Sequence, residues 1–151
     1  MTTEMTIEQV MRPCPLALTP RHTLAEAHAI MGVHKIRHLP VEEAGKLVGI
    51  VSQGDLRLLE SLEQLDTRQV EVEEAMTPDP YAVGPSEPLR RVVREMWARR
   101  IGCALVVEGD ALVGIFTCVD ALALLGQVLE RPDAPDLGSP ADAIETTGYA
   151  R

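Results

Sequence analysis

Aromatic residues are scarce in this chain of 151 residues: one Phe, one Trp and two Tyr make up 3% of it. With 46% hydrophobic residues in total, the core has to be aliphatic, built from Leu, Val, Ile, Ala and Met. Basic residues are also few, 14 against 23 acids, for a net charge of −9. That balance argues against a general binder of nucleic acid or of anionic membranes, whose footprint is basic. No apolar run reaches the roughly 18 residues a membrane span needs. The opening MTTEMTIEQVM carries acids and no apolar centre, unlike a secretory leader. Only three cysteines occur, Cys14, Cys103 and Cys118, an odd number without framework spacing. Such usage implies reduced thiols and a cytoplasmic protein.

What the chain does have is a repeat. Shifted by 65 residues, positions 11–59 align with 76–124 without a gap, and 16 of 49 pairs are identical. Among them are Met11/Met76, Pro20/Pro85, Leu24/Leu89, Gly49/Gly114 and Asp55/Asp120. Chance would give roughly three or four, since common residues each stay under about 10% of a chain. The sequence is therefore a tandem duplication.

Each copy has the same order. A proline-punctuated extended segment comes first, MRPCPLALTP and MTPDPYAVGP, where helix is disfavoured. A helix follows. In the second copy Leu89, Val92, Val93, Met96 and Trp97 form an apolar stripe, and in the first Thr23 and Glu26 have the spacing of a capping box. Two strands with a turn between them occupy 36–52 and 101–117, with Ala44-Gly45 and Gly109-Asp110 at the turns. A second helix leaves each strand end, over 53–65 and 118–130. The fold class is α+β, two β-α-β-β-α units packed about a pseudo-two-fold axis through their sheets. The first unit spans 1–65 with its core at 10–60, a linker covers 66–74, and the second unit spans 75–130. Residues 131–151, rich in Pro, Asp, Ala and Gly, read as a disordered tail.

Both units end their second strand alike, GIVSQGDL at 49–56 and GIFTCVDA at 114–121. A hydroxyl three residues before an acid at a helix start is, first of all, a capping box. The same corner also offers backbone N–H groups to an anion and a carboxylate to a vicinal diol, which suits a ribose phosphate.

With these motifs, the chain resembles a tandem pair of CBS domains, a Bateman module standing alone. The match is carried by MRPCPLALTPRHTLAEA, IRHLPV and GIVSQGDL in one half and by MTPDPYAVGPSEPLRRV and IGCALVVEGDALVGIFTCVDA in the other. The resemblance implies a cleft with two pseudo-symmetric sites for an adenosine nucleotide or another adenosyl compound: AMP, ADP, ATP, S-adenosylmethionine or a dinucleotide. Asp55 and Asp120 would hold ribose hydroxyls, with Ser52 and Thr117 beside ribose or phosphate. Ile36, Arg37 and His38, and likewise Ile101, Gly102 and Cys103, would meet the adenine. Lys35 and Arg100 would face phosphates, as would His34 and Arg99. The resemblance further implies a regulatory sensor rather than an enzyme, with no obligatory cofactor, a homodimer, and a regulated partner protein. The rival reading is a ligand-free structural and interaction module in which both motifs are only caps. A metal site at His34 and His38 lacks a completing ligand set, and Cys103 and Cys118 read better as apolar fillers than as a redox pair.

Overall fold

The computed structural model describes residues 4–13, 16–62 and 65–138. Helix α1 (Leu24–His34) starts where the side chain of Thr23 accepts from the Glu26 N–H and the Glu26 carboxylate accepts from the Thr23 N–H, the reciprocal cap expected from the spacing. Strands β1 (His38–Glu43) and β2 (Lys46–Ser52) form a hairpin. Ala44 and Gly45 at its tip both have positive φ, 51° and 76°, as a two-residue turn matching strand twist requires. Helix α2 (Gln53–Glu60) follows directly. It is shorter than the expected 53–65: the Ser61 hydroxyl donates to the Leu58 carbonyl and closes the last turn. Residues 63–64 of that stretch lie outside the described ones.

The second half repeats the plan with β3 (Thr77–Pro78), β4 (Ala82–Val83), α3 (Leu89–Arg99), β5 (Cys103–Glu108), β6 (Ala111–Thr117) and α4 (Cys118–Leu129). The hairpins match in detail. The register slips between Val41 and Glu42 in one and between Val106 and Val107 in the other, which leaves Val48 and Val113 as the extra residues of equivalent bulges. Both first helices end in a basic residue in the left-handed region, Lys35 (φ 53°) and Arg100 (φ 55°). The leading strand of the first unit shrinks to one parallel bridge, Leu18 to Val41, whereas β4 pairs over two residues with β5.

The two sheets have the order β1-β2-β3 and β4-β5-β6. The first order shows a feature that the repeat alone does not reveal. β3 belongs to the second copy, yet it pairs with β2 of the first. Reciprocally, Arg12 of the first copy bridges Ile115 of β6. The first parts of the leading segments cross over, while Leu18 and β4 pair within their own copies. Each segment also lays a short 3-10 turn into the opposite core. Ile7 of the turn Ile7–Gln9 is fully buried with Val92, Met96 and Phe116, and Val72 of the turn Val72–Glu74 is fully buried with Leu24, Leu39 and Leu56. Residues 66–74, expected to link the halves, also contribute Val70 to the first core. Between the sheets Leu105, Ile115 and Cys103 meet Leu47, Ile50 and Leu112. Of the tail, 131–138 is exposed around Pro135, Asp136 and Leu137, and 139–151 lies outside the described residues.

Gly49 and Gly114 are where these exchanged segments press closest. A Cβ on Gly49 would stand 2.6 Å from the Met76 sulfur and 3.0 Å from the Thr77 carbonyl oxygen, and one on Gly114 would overlap the Met11 sulfur. The identities Met11/Met76 and Gly49/Gly114 are thus two copies of one contact between halves. Gly49→Ala is expected to destabilise the chain by about 1–3 kcal/mol through overpacking. In urea titrations the double variant Gly49→Ala/Met76→Ala should lose less than the sum of the singles; strict additivity would show that the two residues do not press on each other.

Candidate functional site

The C-terminal end of α1 and the start of β1 stand opposite the start of α4, and a cleft of about 840 Å³ lies between them. One wall is His34, Lys35, Ile36, Arg37 and His38; the other is Thr117, Cys118, Val119 and Asp120, with Gly102 beside them. The exchanged leading segment adds Arg12 and Pro13. The left-handed turn at Lys35 swings the chain out of α1 and into β1, so that residues 34–38 border the space instead of continuing the helix. Opposite, the Cys118 N–H donates to the Gly102 carbonyl at 2.9 Å, which ties the start of α4 to the approach of β5.

Asp120 is held tightly. Its Oδ2 accepts from the Thr117 N–H at 2.9 Å and from the Thr117 hydroxyl at 3.0 Å. Arg12 Nε lies 3.0 Å from Oδ1 and 3.2 Å from Oδ2. The side chain keeps 18% of its surface exposed, so it remains reachable from the cleft. Asp55 makes the matching cap, its Oδ2 accepting from the Ser52 N–H at 2.8 Å, while the Ser52 hydroxyl accepts from the Asp55 N–H at 3.1 Å. Both motifs are therefore capping boxes in the folded chain. They differ in what lies beside them.

Of the residues singled out in the sequence, Lys35, Ile36, Arg37, His38, Gly102, Thr117 and Asp120 line the cleft together. Ser52, Asp55, Arg100, Ile101 and Cys103 do not border it. The expectation of one crevice shared by both carboxylates thus meets a structure in which Asp120 borders the cleft and Asp55 stands apart. Two residues that depart from the repeat lie between them. His38 sits over Gly102, where a Cβ would come within 2.7 Å of Nε2, so the imidazole fills space beside the second copy's strand start. Farther along that half, the guanidinium of Arg99 lies 4.9 Å from the centre of the Tyr81 ring and its Nε donates to Glu95, so this cation is turned to its own helix and ring. Arg12 was not marked by the sequence: its counterpart in the repeat is Thr77, and only the exchange of segments brings it to Asp120.

The cysteines differ in burial. Cys103 is buried in the seam between sheets, and Cys118 is exposed with its Sγ 3.7 Å from the Ile101 carbonyl. Cys14 lies outside the described residues. Among the described residues no three His, Cys, Asp or Glu cluster as a metal site would need, and no helix is long and apolar enough to cross a membrane.

Burial is the main influence on His38 and lowers its proton affinity; the Asp55 carboxylate works against this and the Arg37 cation adds to it. The unfolded chain therefore takes up this proton first as pH falls, so the contribution of a neutral His38 is complete above about pH 6.5 and is lost below it. Melting temperature is expected to drop as pH falls through and below about 6.5, and to drop less in His38→Gln. Equal slopes for the two proteins would show that His38 does not set this dependence.

The model of the CBS domain family matches the chain twice, over residues 7–60 and 72–126. Inosine-5'-monophosphate dehydrogenase of Staphylococcus epidermidis is 30% identical over 124 residues, 80% of this chain and 23% of that enzyme. The chain thus spans about a quarter of the length of the curated relatives it matches. Among solved structures, the CBS domain pair of protein MJ0100 in complex with 5'-methylthioadenosine and S-adenosyl-L-methionine superposes with a TM-score of 0.75 at 28% identity, covering 83% of this chain and 98% of that one. CBSX2 in complex with AMP gives 0.69 at 25% identity, again over 83% and 98%. Two exchanged, bulge-matched halves and a family match in each leave one assignment: the chain belongs to the CBS domain family, as a tandem pair.

Proposed function

We propose that this chain is a regulatory module that binds an adenosine nucleotide, as a ligand and not as an obligatory cofactor, in the cleft between residues 34–38 and the start of α4. The observation that carries the reading is Asp120 at a helix start, still reachable, across about 840 Å³ from Lys35 and Arg37. That volume lies within the range of roughly 300–1,000 Å³ usual for small-molecule sites. In this reading Asp120 accepts from ribose hydroxyls, Thr117 lies beside the sugar, Ile36 and Gly102 flank the base, and Lys35 faces phosphate. The bound forms of the MJ0100 pair and of CBSX2 support an adenosyl ligand. The Ser52/Asp55 corner, with Ile101, Cys103 and Arg100, forms the second pseudo-symmetric half-site. Its ligand use is weaker, because His38 stands over Gly102.

The module acts by conformational shift. A ligand touching both halves favours one arrangement of the pair, and only a difference in affinity between arrangements can carry a signal to a partner protein. The reading includes no catalysis and places the protein in the cytoplasm.

A homodimer is part of the same proposal. Helix α4 has one charged residue, Asp120, and packs only Ala121 and Leu124 against its core. Val119 (61% exposed), Leu122 (66%) and Leu129 (52%) face outward on a helix with no fully buried residue. A second copy is the occupant that would cover such a stripe. Light scattering on Leu122→Glu/Leu129→Glu is expected to show monomers where the parent chain shows dimers; a parent chain that is monomeric at all concentrations sinks this part of the reading.

The competing reading, a ligand-free structural module, is favoured by the capping role of both carboxylates. Thermal shift with AMP, ATP, S-adenosylmethionine and NADH separates the two. A ligand at 100 times its Kd should stabilise the chain by about 2.7 kcal/mol. Asp120→Ala should abolish the ligand-induced rise while Asp55→Ala keeps most of it, with each variant compared to its own ligand-free melt because either change removes a cap. No rise with any of the four compounds supports the structural reading.

A further inference from the structure

The geometry points to Arg12 as the residue that selects a phosphorylated ligand for the cleft, over an uncharged or cationic adenosyl compound. The inference rests on the adenosyl reading and adds the charge class of the ligand. Arg12 reaches the site by an unusual route. Its backbone is fixed to β6 from both sides, N–H to the Ile115 carbonyl and carbonyl from the Ile115 N–H, each at 2.9 Å. A side chain so anchored has a short list of places to go, and it goes to Asp120.

Among the described residues lining the cleft, Asp120 is the one carboxylate, against three cations, Arg12, Lys35 and Arg37. On a chain of net charge −9 this is a local reversal of sign. The Asp120 Oδ2 already accepts two bonds from Thr117, and Arg12 lies against both oxygens. A sugar diol that takes its place on this carboxylate must share it with the guanidinium or displace it. Arg12 is 52% exposed, so the pair is weak on its own account, and what decides between ligands is whether the freed cation finds a new anion.

A phosphate on the same ligand supplies that anion. The guanidinium has five N–H donors in a planar fork that matches phosphate as well as carboxylate, so it can turn from Asp120 to phosphate without losing charge-assisted bonds. Lys35 and Arg37 on the facing wall add attraction. Adenosine breaks the pair and returns nothing, and S-adenosylmethionine, whose single carboxylate is outweighed by a sulfonium and an ammonium, adds net positive charge among the three cations. The pseudo-symmetric position holds Thr77, which has neither charge nor reach, so this selection belongs to the Asp120 half alone.

The test is calorimetric titration of the full chain and of Arg12→Ala with AMP, adenosine and S-adenosylmethionine. The parent chain should bind AMP about tenfold or more tighter than either other compound, the size of one charge-assisted bond. Arg12→Ala should weaken AMP by about tenfold or more while adenosine holds or tightens, because Asp120 is released. A circular-dichroism melt verifies that the variant folds. If it does not, Arg12→Gln takes its place, with the same loss expected for AMP and none for adenosine. Equal affinity for AMP and adenosine, tighter binding of S-adenosylmethionine, or an equal loss for both ligands in Arg12→Ala would overturn the assignment while leaving the adenosyl reading intact. No binding of any of the three to the parent chain would remove both.

Discussion

Two methionine sulfurs seated on two glycines hold this architecture together. Met11 lies on Gly114 and Met76 on Gly49, each reaching from the leading segment of one copy to the sheet of the other. Because a glycine is present at each seat, the backbone of the incoming segment comes close enough to pair, Arg12 with Ile115 and Thr77–Pro78 with β2. Each half then draws buried residues of its core from outside its own copy, Ile7 in one and Val70 and Val72 in the other. An aliphatic chain with a single phenylalanine could leave two small cores marginal apart; here they are completed mutually. The cleft follows from the same exchange, since the segment that brings Met11 to its glycine also brings Arg12 to Asp120.

Much of this was legible beforehand. The offset of 65 residues, the Thr23/Glu26 cap, the turns at Ala44-Gly45 and Gly109-Asp110, and helices starting after Ser52 and Thr117 all follow from local rules of capping and turn chemistry, which depend on neighbours a few residues away. The exchange was not legible, because a proline-punctuated segment announces extended chain without saying which sheet it joins. The difference between the two acidic corners was hidden for another reason. In sequence Asp55 and Asp120 are identical members of one motif; what separates them is whether histidine or cysteine, arginine or glycine, stands at the facing strand start. That is a contact between copies and leaves no mark in either motif. The outward leucines of α4 gave no sign either, since an apolar run does not say whether its cover is the same chain or another.

The bland and the functional accounts of the Ser/Thr-x-x-Asp corners also turn out to be compatible. A carboxylate that caps its own helix is held rigid, with one oxygen committed to the backbone and the whole group oriented along the helix axis. Rigidity of that kind is what a recognition site needs, because a pre-oriented acceptor loses little freedom when a ligand arrives. At Asp120 the cap fixes the group and Arg12 occupies it in the ligand-free chain; at Asp55 the cap fixes a group that the cleft does not reach.

The pairing of Arg12 with Ile115 spans 103 residues of chain, and this has a consequence for how the protein comes into being. As the chain is synthesised, residues 7–12 emerge long before the surface they belong to exists. The first half can gather its own hairpin and helices, yet the strand destined for the edge of β2 and the turn that fills its core have not been made, while its own leading segment has nowhere to dock. Closing so long a loop is slow compared with forming a hairpin or helix. The crossed contacts can therefore form only once both copies exist, and a chain lacking either copy would leave the other short of an edge strand or a core residue.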